Sequence, residues 1–354
     1  MQSALYDLIE PVSSIFAGKR LIICGTLVDE QLLKLAAQTK RTQVIVDNYL
    51  CASRMAALMG QQITDAPEQS FNYKHLSVYY SSLEKILPNI EPSDVLLTIL
   101  DKSKSQNQKI LRLLSKKISR GGFIFTAGAN DSGGKSASSL LKEFGDPQKS
   151  AVRRKCTLFG VSLEQNAATY QKLQEITFKC GGFEVKLMQD EAVFSKGRVD
   201  EGTSMLINAL SRKRPPAKTA LDLGCGCGVV GLSLKRLGLK DVLSTDISAS
   251  ALALTRKNAT LNSLEVEVRS ADMLQGLGKF DLIAVNPPFH QGTAVEREMA
   301  LNMIREAPKH LNEGGNLFLV GNSFLGYEEK LKEQFSSVVC LEKTSRFCVY
   351  QARC

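Results

Sequence analysis

The tetrapeptide Asn286-Pro287-Pro288-Phe289 brings together residue types that could do chemistry. It follows an apolar run, Phe280 to Val285, that reads as a strand. It therefore falls at a strand's carboxyl end, where ligands bind in open α/β sheets. An exocyclic amine conjugated to a planar ring is a poor nucleophile, because its lone pair is delocalised. Two acceptors, the Asn286 side-chain oxygen and the Pro287 carbonyl, can bond its two N–H groups and turn the lone pair toward an electrophile. The prolines fix the backbone that aims the carbonyl. Phe289 offers a face on which a planar base can stack.

Upstream, Ala220 to Gly231 reads Ala-Leu-Asp-Leu-Gly-Cys-Gly-Cys-Gly-Val-Val-Gly, a strand ending abruptly in glycines before an apolar helix that stops near Gly238. Such a turn lets backbone approach a ligand where a Cβ would block it. Gly226, Gly228 and Gly231 match the dinucleotide fingerprint G-x-G-x-x-G, a weak signal alone. The longer form, Asp222-x-Gly224-x-Gly226-x-Gly228, resembles motif I of class I S-adenosylmethionine-dependent methyltransferases. A second strand, Val242 to Thr245, ends in Asp246, about 20 residues past the glycines, where a carboxylate can accept both ribose hydroxyls of an adenosine-containing cofactor. After a third strand, Val266 to Arg269, Asp272 can accept from an adenine amino group while Met273 or Ile247 covers the ring. Asn286-Pro-Pro-Phe in series with these decides against a dehydrogenase.

The elements that must position these groups alternate between strand and helix, which predicts parallel α/β sheets. In the first half Arg20 to Gly25, Gln43 to Val46, Leu76 to Tyr80, Asp94 to Leu100, Gly122 to Ala127 and Cys156 to Val161 read as strands, with helices over Glu30–Gln38 and Lys109–Ile118. Ser162 to Ala168 reads as a linker, and Phe178 to Leu187 as a strand or hairpin turning at Gly181-Gly182. In the second half Gly315 to Val320 is a fifth strand, and Ser337–Leu341 with Phe347–Ala352 form a closing hairpin. The halves repeat one another: Arg120-Gly-Gly-Phe-Ile-Phe has a counterpart in Glu313-Gly-Gly-Asn-Leu-Phe, and Asp94-Val-Leu-Leu in Asp281-Leu-Ile-Ala. The first copy has Cys24-Gly-Thr-Leu-Val where the glycine turn would be, and no Asn-Pro-Pro. Ala129 to Ser136 is one residue away from G-x-x-x-x-G-K-[ST], the loop of a nucleotide triphosphatase, but it sits late in its half, whereas a phosphate loop follows the first strand of its domain, and it reads as a Gly-Ser loop with a solvated lysine.

Composition sets the frame. With 45 Lys+Arg against 36 Asp+Glu, the net charge of +9 suits an acidic partner, and nucleic acid is the commonest. Nine scattered cysteines without a C-x-x-C pair read as reduced thiols, with Cys225 and Cys227 inside the glycine turn. The absence of a long apolar run, and Asp7 and Glu10 near the start, point to a cytoplasmic protein with neither membrane span nor signal peptide. No metal-ligand spacing is read.

Asn286-Pro-Pro-Phe-His290-Gln-Gly292, the upstream Val193-Phe194-Ser195…Asp200-x-Gly202, and a degenerate first copy together resemble the 16S ribosomal RNA guanine-N2 methyltransferases of bacteria. The likeness is strongest over Met188 to Cys354 and reaches the first half through its architecture and its Gly-Ala-Asn-Asp-Ser-Gly loop. It implies two tandem class I methyltransferase-like (Rossmann-like) α/β domains. A degenerate substrate-binding or structural domain would occupy 1–168. A catalytic domain would occupy 169–354, with a seven-stranded, mostly parallel sheet closed by an antiparallel hairpin. S-adenosylmethionine is the implied cofactor and small-subunit ribosomal RNA the partner, for a chain expected to act as a monomer. Phe194, Ser195, Asp200 and Gly202 match the segment that closes over the methionine end of the cofactor. Asp222, Gly224, Gly226, Gly228, Asp246, Ile247, Asp272, Met273 and Asn286 complete the cofactor side, and Asn286, Pro287 and Phe289 the catalytic side. His290 reads as a structural or RNA-contacting group sooner than a base, since a methylated amine can lose its proton to water. Other acceptors of the same type, adenine N6 or a protein glutamine, remain open, as does a noncatalytic RNA-binding assembly factor. The basic residues Lys116, Lys117, Arg120 and Lys135 are the expected RNA contacts of the first half.

Overall fold

The computed structural model describes residues 2–26, 30–165, 170, 173–180, 182–189, 198–287 and 294–354, without the side chains of residues 2, 3 and 294–296. The chain divides into two compact units, Met1–Lys172 and Leu173–Cys354. In the first, β1 (Arg20–Cys24), β2 (Arg41–Val46), β3 (Gln69–Tyr73), β4 (Leu76–Tyr80), β5 (Ser93–Ile99), β6 (Ile118–Ala129), β7 (Gln148–Arg153) and β8 (Cys156–Ser162) join in the order β3-β4-β2-β1-β5-β6-β8-β7. The second unit opens with a separate hairpin, β9 (Gln174–Cys180) and β10 (Phe183–Gln189). Its sheet comprises β11 (Thr219–Leu223), β12 (Asp241–Asp246), β13 (Glu267–Ser270), β14 (Phe280–Val285), β15 (Leu311–Asn322), β16 (Ser337–Lys343) and β17 (Phe347–Arg353), in the order β13-β12-β11-β14-β15-β17-β16.

Five strands of that second sheet run parallel, and β17 lies antiparallel to both β15 and β16. Strands buried on both faces read as continuous apolar runs, which is how β11 and β14 were legible. Alternate residues feed two cores. Ala220, Leu282 and Ala284 pack with Met205, Leu206 and Leu210 of the helix Glu201–Lys213 and with Val185 and Leu187 of the hairpin. Leu221, Leu223, Ile283 and Val285 pack on the opposite face with Ala300, Met303, Ile304, Tyr327 and Leu331.

The two sheets share one plan, as the sequence repeat predicts. In the first unit Asp94 accepts the backbone N–H of Arg20 at 2.9 Å. In the second Asp281 accepts that of Thr219 at 3.0 Å. Each carboxylate ties the start of one central strand to its neighbour, and a register shift follows each at the same place, between Ser93 and Val95 and between Phe280 and Leu282. Gly25 and Gly224 leave their strands alike, donating to the carbonyls of Ile45 and Thr245. That register sets Val46 opposite Asp246 in the comparison, and Ile99 opposite Asn286.

Some elements differ from expectation. The helix expected over Lys109–Ile118 is Lys104–Leu114, started by the Ser103 hydroxyl accepting from the Gln106 N–H; Ile118 already opens β6. A short helix, Ala137–Leu141, follows the Gly-Ser loop. Strands β3 and β7 are edge strands with mostly exposed residues, so no apolar alternation marks them.

Candidate active site

The chain runs from β11 outward to β12 and β13, then returns to β14 on the other side, so the order reverses between β11 and β14. Leu223 and Val285 are register partners there, and the next residues, Gly224 and Asn286, both emerge at the carboxyl rim. Open α/β sheets bind ligands at this switch point.

The glycine turn is held open from below. Gly224 has φ +73°, and a Cβ built on it would meet nothing within 4 Å. The turn thus bares its backbone where a side chain would otherwise stand. Gly228, φ +82°, packs against Thr255, whose Cγ2 would lie 2.7 Å from an added Cβ. Gly231 is pressed on Ser244 and Asp222 in the same way. Asp246, half-buried at the end of β12, accepts the Gly226 N–H at 3.0 Å and the Ser248 N–H at 2.9 Å. Two carboxylate oxygens offer about four acceptor sites, so hydroxyls can be taken in addition. Ile247 and Asp272 are half-buried beside it, and the Ala271 N–H joins the Asp246 carbonyl at 3.1 Å. Met273 takes φ +51°, a left-handed conformation uncommon for a residue with a Cβ. Such an outlier at a strand's carboxyl end is the kind that functional sites keep.

Asp222 sits differently from the rest. It is 2% exposed, beneath the turn, and its Oδ2 accepts the Gly231 N–H at 2.8 Å. Burial pushes its carboxyl up to about 7, against the pull of the Gly231 N–H and with the charge of Asp246 adding to the rise. Its place is under the loop, as a staple between β11 and the following helix. Burial also drives the Cys225 thiol well above its ordinary value and the Cys227 thiol up to about 11, so both stay protonated at neutral pH and neither is an activated nucleophile.

Across the rim, Asn286 is half-buried and Pro287 buried. The Asn286 side-chain nitrogen donates to the Thr203 hydroxyl at 2.7 Å and to Asp200 Oδ1 at 3.4 Å. Asp200 caps the helix Glu201–Lys213 by accepting the Thr203 N–H at 3.0 Å. Gly202 leaves room for this, since a Cβ there would stand 3.3 Å from both Asp200 Oδ1 and the Phe347 ring. Phe194, Ser195, Phe289 and His290 lie outside the described residues.

Sequence reasoning missed the support. Thr203, Thr255 and Asn258 belong to none of the motifs. Asn258 donates to the Cys227 carbonyl at 2.8 Å and accepts the Met188 N–H at 2.7 Å, clipping the hairpin to the turn. Asn262, one turn on, does the same for Lys186. Polar Thr255, Asn258 and Asn262 at i, i+3 and i+7, on the helix Ala249–Leu261 and its C-cap, were the available signal; all three are buried, and such groups need partners. In the first unit the Gly-Ser loop turns its amides inward: Ser132 N–H donates to Ala129 O and Ser136 N–H to Gly133 O. Those two amides are therefore engaged within the loop.

A bared glycine turn, a carboxylate at the second strand's end and an acidic residue at the third fit an adenosine-bearing cofactor such as S-adenosylmethionine at this rim. Comparison with known proteins agrees. The family description "Methyltransferase small domain" matches residues 184–351, and "Methyltransferase small domain N-terminal" matches residues 7–175. The ribosomal RNA small subunit methyltransferase C of Aeromonas hydrophila is 30% identical over 358 residues, covering 99% of this chain and 98% of its own. That of Haemophilus influenzae is 34% identical over 265 residues, covering 74% of this chain and 79% of its own. A 16S rRNA N2 methyltransferase of T. thermophilus, solved in complex with AdoMet and guanosine, superposes with a TM-score of 0.79 at 22% identity, over 99% of this chain and 91% of that one, a likeness of fold. With near-complete coverage of such a relative and both halves matched, the chain belongs to the ribosomal RNA small subunit methyltransferase C family.

Proposed function

We propose that this chain transfers a methyl group from S-adenosylmethionine to the exocyclic N2 amine of a guanosine in 16S ribosomal RNA, as a cytoplasmic monomer. The catalytic domain is residues 169–354, and residues 1–168 hold RNA. The observation that carries the reading is the pairing at the switch point: Asn286 emerges from β14 beside the glycine turn of β11, with Leu223 and Val285 in register behind them. An amine acceptor and a cofactor cradle thus emerge side by side at one rim of the sheet.

When bound, S-adenosylmethionine supplies a methyl group on a sulfonium, ready for a nitrogen lone pair. Asp246 would hold its ribose hydroxyls, Asp272 its adenine amino group, and Ile247 and Met273 the faces of the ring. Asn286 Oδ1 and the Pro287 carbonyl accept the two N–H groups of the target amine, and so direct its lone pair out of conjugation with the ring. Phe289 stacks on the base. No side chain is required as a base, because the methylated amine sheds a proton to water. The chain's contribution is position and fixed dipoles.

Lys116, Lys117, Arg120 and Lys135 contact phosphates from the first domain, in keeping with the net charge of +9. Val46 and Ile99 stand in the first domain where Asp246 and Asn286 stand in the second, and Gly25 lies against Ile99, whose Cβ would be 2.9 Å from an added one. Apolar groups in both acceptor positions support a domain that handles substrate without cofactor. The test is transfer of a labelled methyl group from S-adenosylmethionine to unmodified 16S ribosomal RNA transcribed in vitro, with total protein offered separately. Label in RNA is expected. Label only in protein would put a glutamine in place of the guanosine, and no label in either would favour an assembly factor.

A further inference from the structure

The Thr203 hydroxyl stands between two groups of unequal hydrogen-bonding capacity. On one side is Asp200 Oδ2 at 2.5 Å; on the other is the amide nitrogen of Asn286 at 2.7 Å. A carboxylate only accepts, so the single hydroxyl proton is committed to Asp200. The hydroxyl then has only acceptor capacity to offer Asn286, and an amide can meet an acceptor only through its NH2. The contact from Asn286 to Asp200 Oδ1 at 3.4 Å has the same sense. Which way an asparagine amide faces is ordinarily an assignment from its network. Here the network permits one answer.

The three groups are also held in place. Thr203 is 3% exposed, and its own N–H binds Asp200 Oδ1 at 3.0 Å, so the carboxylate is gripped by the backbone and the hydroxyl of one residue. The Asp200 carbonyl takes the Ser204 N–H and hydroxyl, at 3.0 Å and 2.9 Å. The helix terminus fixes Asp200, Asp200 fixes the hydroxyl proton, and the hydroxyl fixes the amide.

We propose that Asp200 and Thr203 form a polarity lock on Asn286, obliging it to present its carbonyl oxygen, and not its NH2, to the amine that is methylated. Thr203 is a positioning residue, acting through Asn286. The inference deepens the proposed function and rests on it. Without the lock the amide has two faces of nearly equal shape. In the flipped one a donor meets a donor, and the lone pair is no longer directed.

Asp200→Asn tests this without changing shape. Asparagine remains a good helix cap through its Oδ1, while its NH2 replaces the oxygen that faces Thr203. The proton order then reverses: the introduced amide donates to Thr203, Thr203 donates to Asn286 Oδ1, and the Asn286 NH2 faces the substrate. In the full-length chain, turnover on unmodified 16S ribosomal RNA should fall by about a hundredfold or more, the scale of losing one preorganised polar group. The unfolding midpoint should stay within a few degrees, and in Thr203→Val, at a residue outside the cofactor segment, S-adenosylmethionine affinity should stay within a few fold. Thr203→Val should lose turnover as well, and Thr203→Ser should restore it to within a few fold. A second readout needs no turnover. With S-adenosylhomocysteine bound, the wild type should bind guanosine more tightly than inosine, which lacks the N2 amine, and Asp200→Asn should lose that preference. An Asp200→Asn enzyme that keeps its turnover, or loses turnover while keeping the guanosine preference, would overturn the lock and leave the proposed function standing. A wild type that fails to methylate RNA guanosine would overturn both.

Discussion

Asp246 Oδ2 accepts the N–H of Gly226 at 3.0 Å, so the carboxylate that ends β12 also shapes the glycine turn after β11. Asp246→Ala should therefore weaken the cofactor twice, through lost acceptors and through a slackened turn. Charge-assisted bonds are worth about 1.5–3 kcal/mol each. Calorimetry should show S-adenosylmethionine affinity falling at least about tenfold, with circular dichroism unchanged. Unaltered affinity would remove Asp246 from the cofactor site, and binding of NADH in its place would return the dinucleotide reading.

Asn286→Ala should separate chemistry from cofactor binding. Turnover should fall by about a hundredfold or more, while S-adenosylmethionine affinity stays within a few fold. Phe289→Ala should instead weaken RNA engagement, by about 1–3 kcal/mol for one lost base stack. A fully active Asn286→Ala enzyme would leave an amine acceptor without its reason.

The main elements were legible because their signals are local. Leu221 to Gly228 and Phe280 to Pro287 announce a strand, a turn and an exit by composition alone, and the repeat carried the plan across to the first unit. What was not legible depends on partners distant in sequence. Thr203 is 83 residues from Asn286, and Asn258 is 70 from Met188. Asp222 read as a ligand because motif spacing shows proximity to the turn, whereas which side of the turn a carboxylate occupies depends on the Gly231 N–H and on burial. β7 carries no apolar pattern because its partner β8 supplies its pairing while its own side chains are mostly exposed.

Asp222 yields a pH signature. Its folded value of about 7 lies above its ordinary 3.8, so the fold favours its protonated form. That contribution to stability is complete below about pH 4 and is lost as pH rises through about 7. Asp222→Asn keeps an acceptor for Gly231 and removes the titration. Unfolding free energies measured from pH 4 to 8 should decline more steeply for the wild type than for the variant. Parallel curves would place the carboxyl in a more polar setting than its burial implies.

For the first domain, titration of the intact chain should give one S-adenosylmethionine per molecule. Replacing Lys116, Lys117, Arg120 and Lys135 by Gln should weaken RNA binding across sequences and flatten its salt dependence, by up to about 0.7 in the logarithmic slope per lost contact to a single strand. Two cofactors per chain, or an unchanged salt slope, would contradict this division of labour.

The most direct measurement is the identity of the product. Unmodified 16S ribosomal RNA is incubated with the enzyme and methyl-labelled S-adenosylmethionine, digested to nucleosides and analysed by mass spectrometry. The account predicts label in N2-methylguanosine, absent when Asn286→Ala replaces the wild type. Label in N6-methyladenosine, or in a guanosine methylated on the ring, would contradict it.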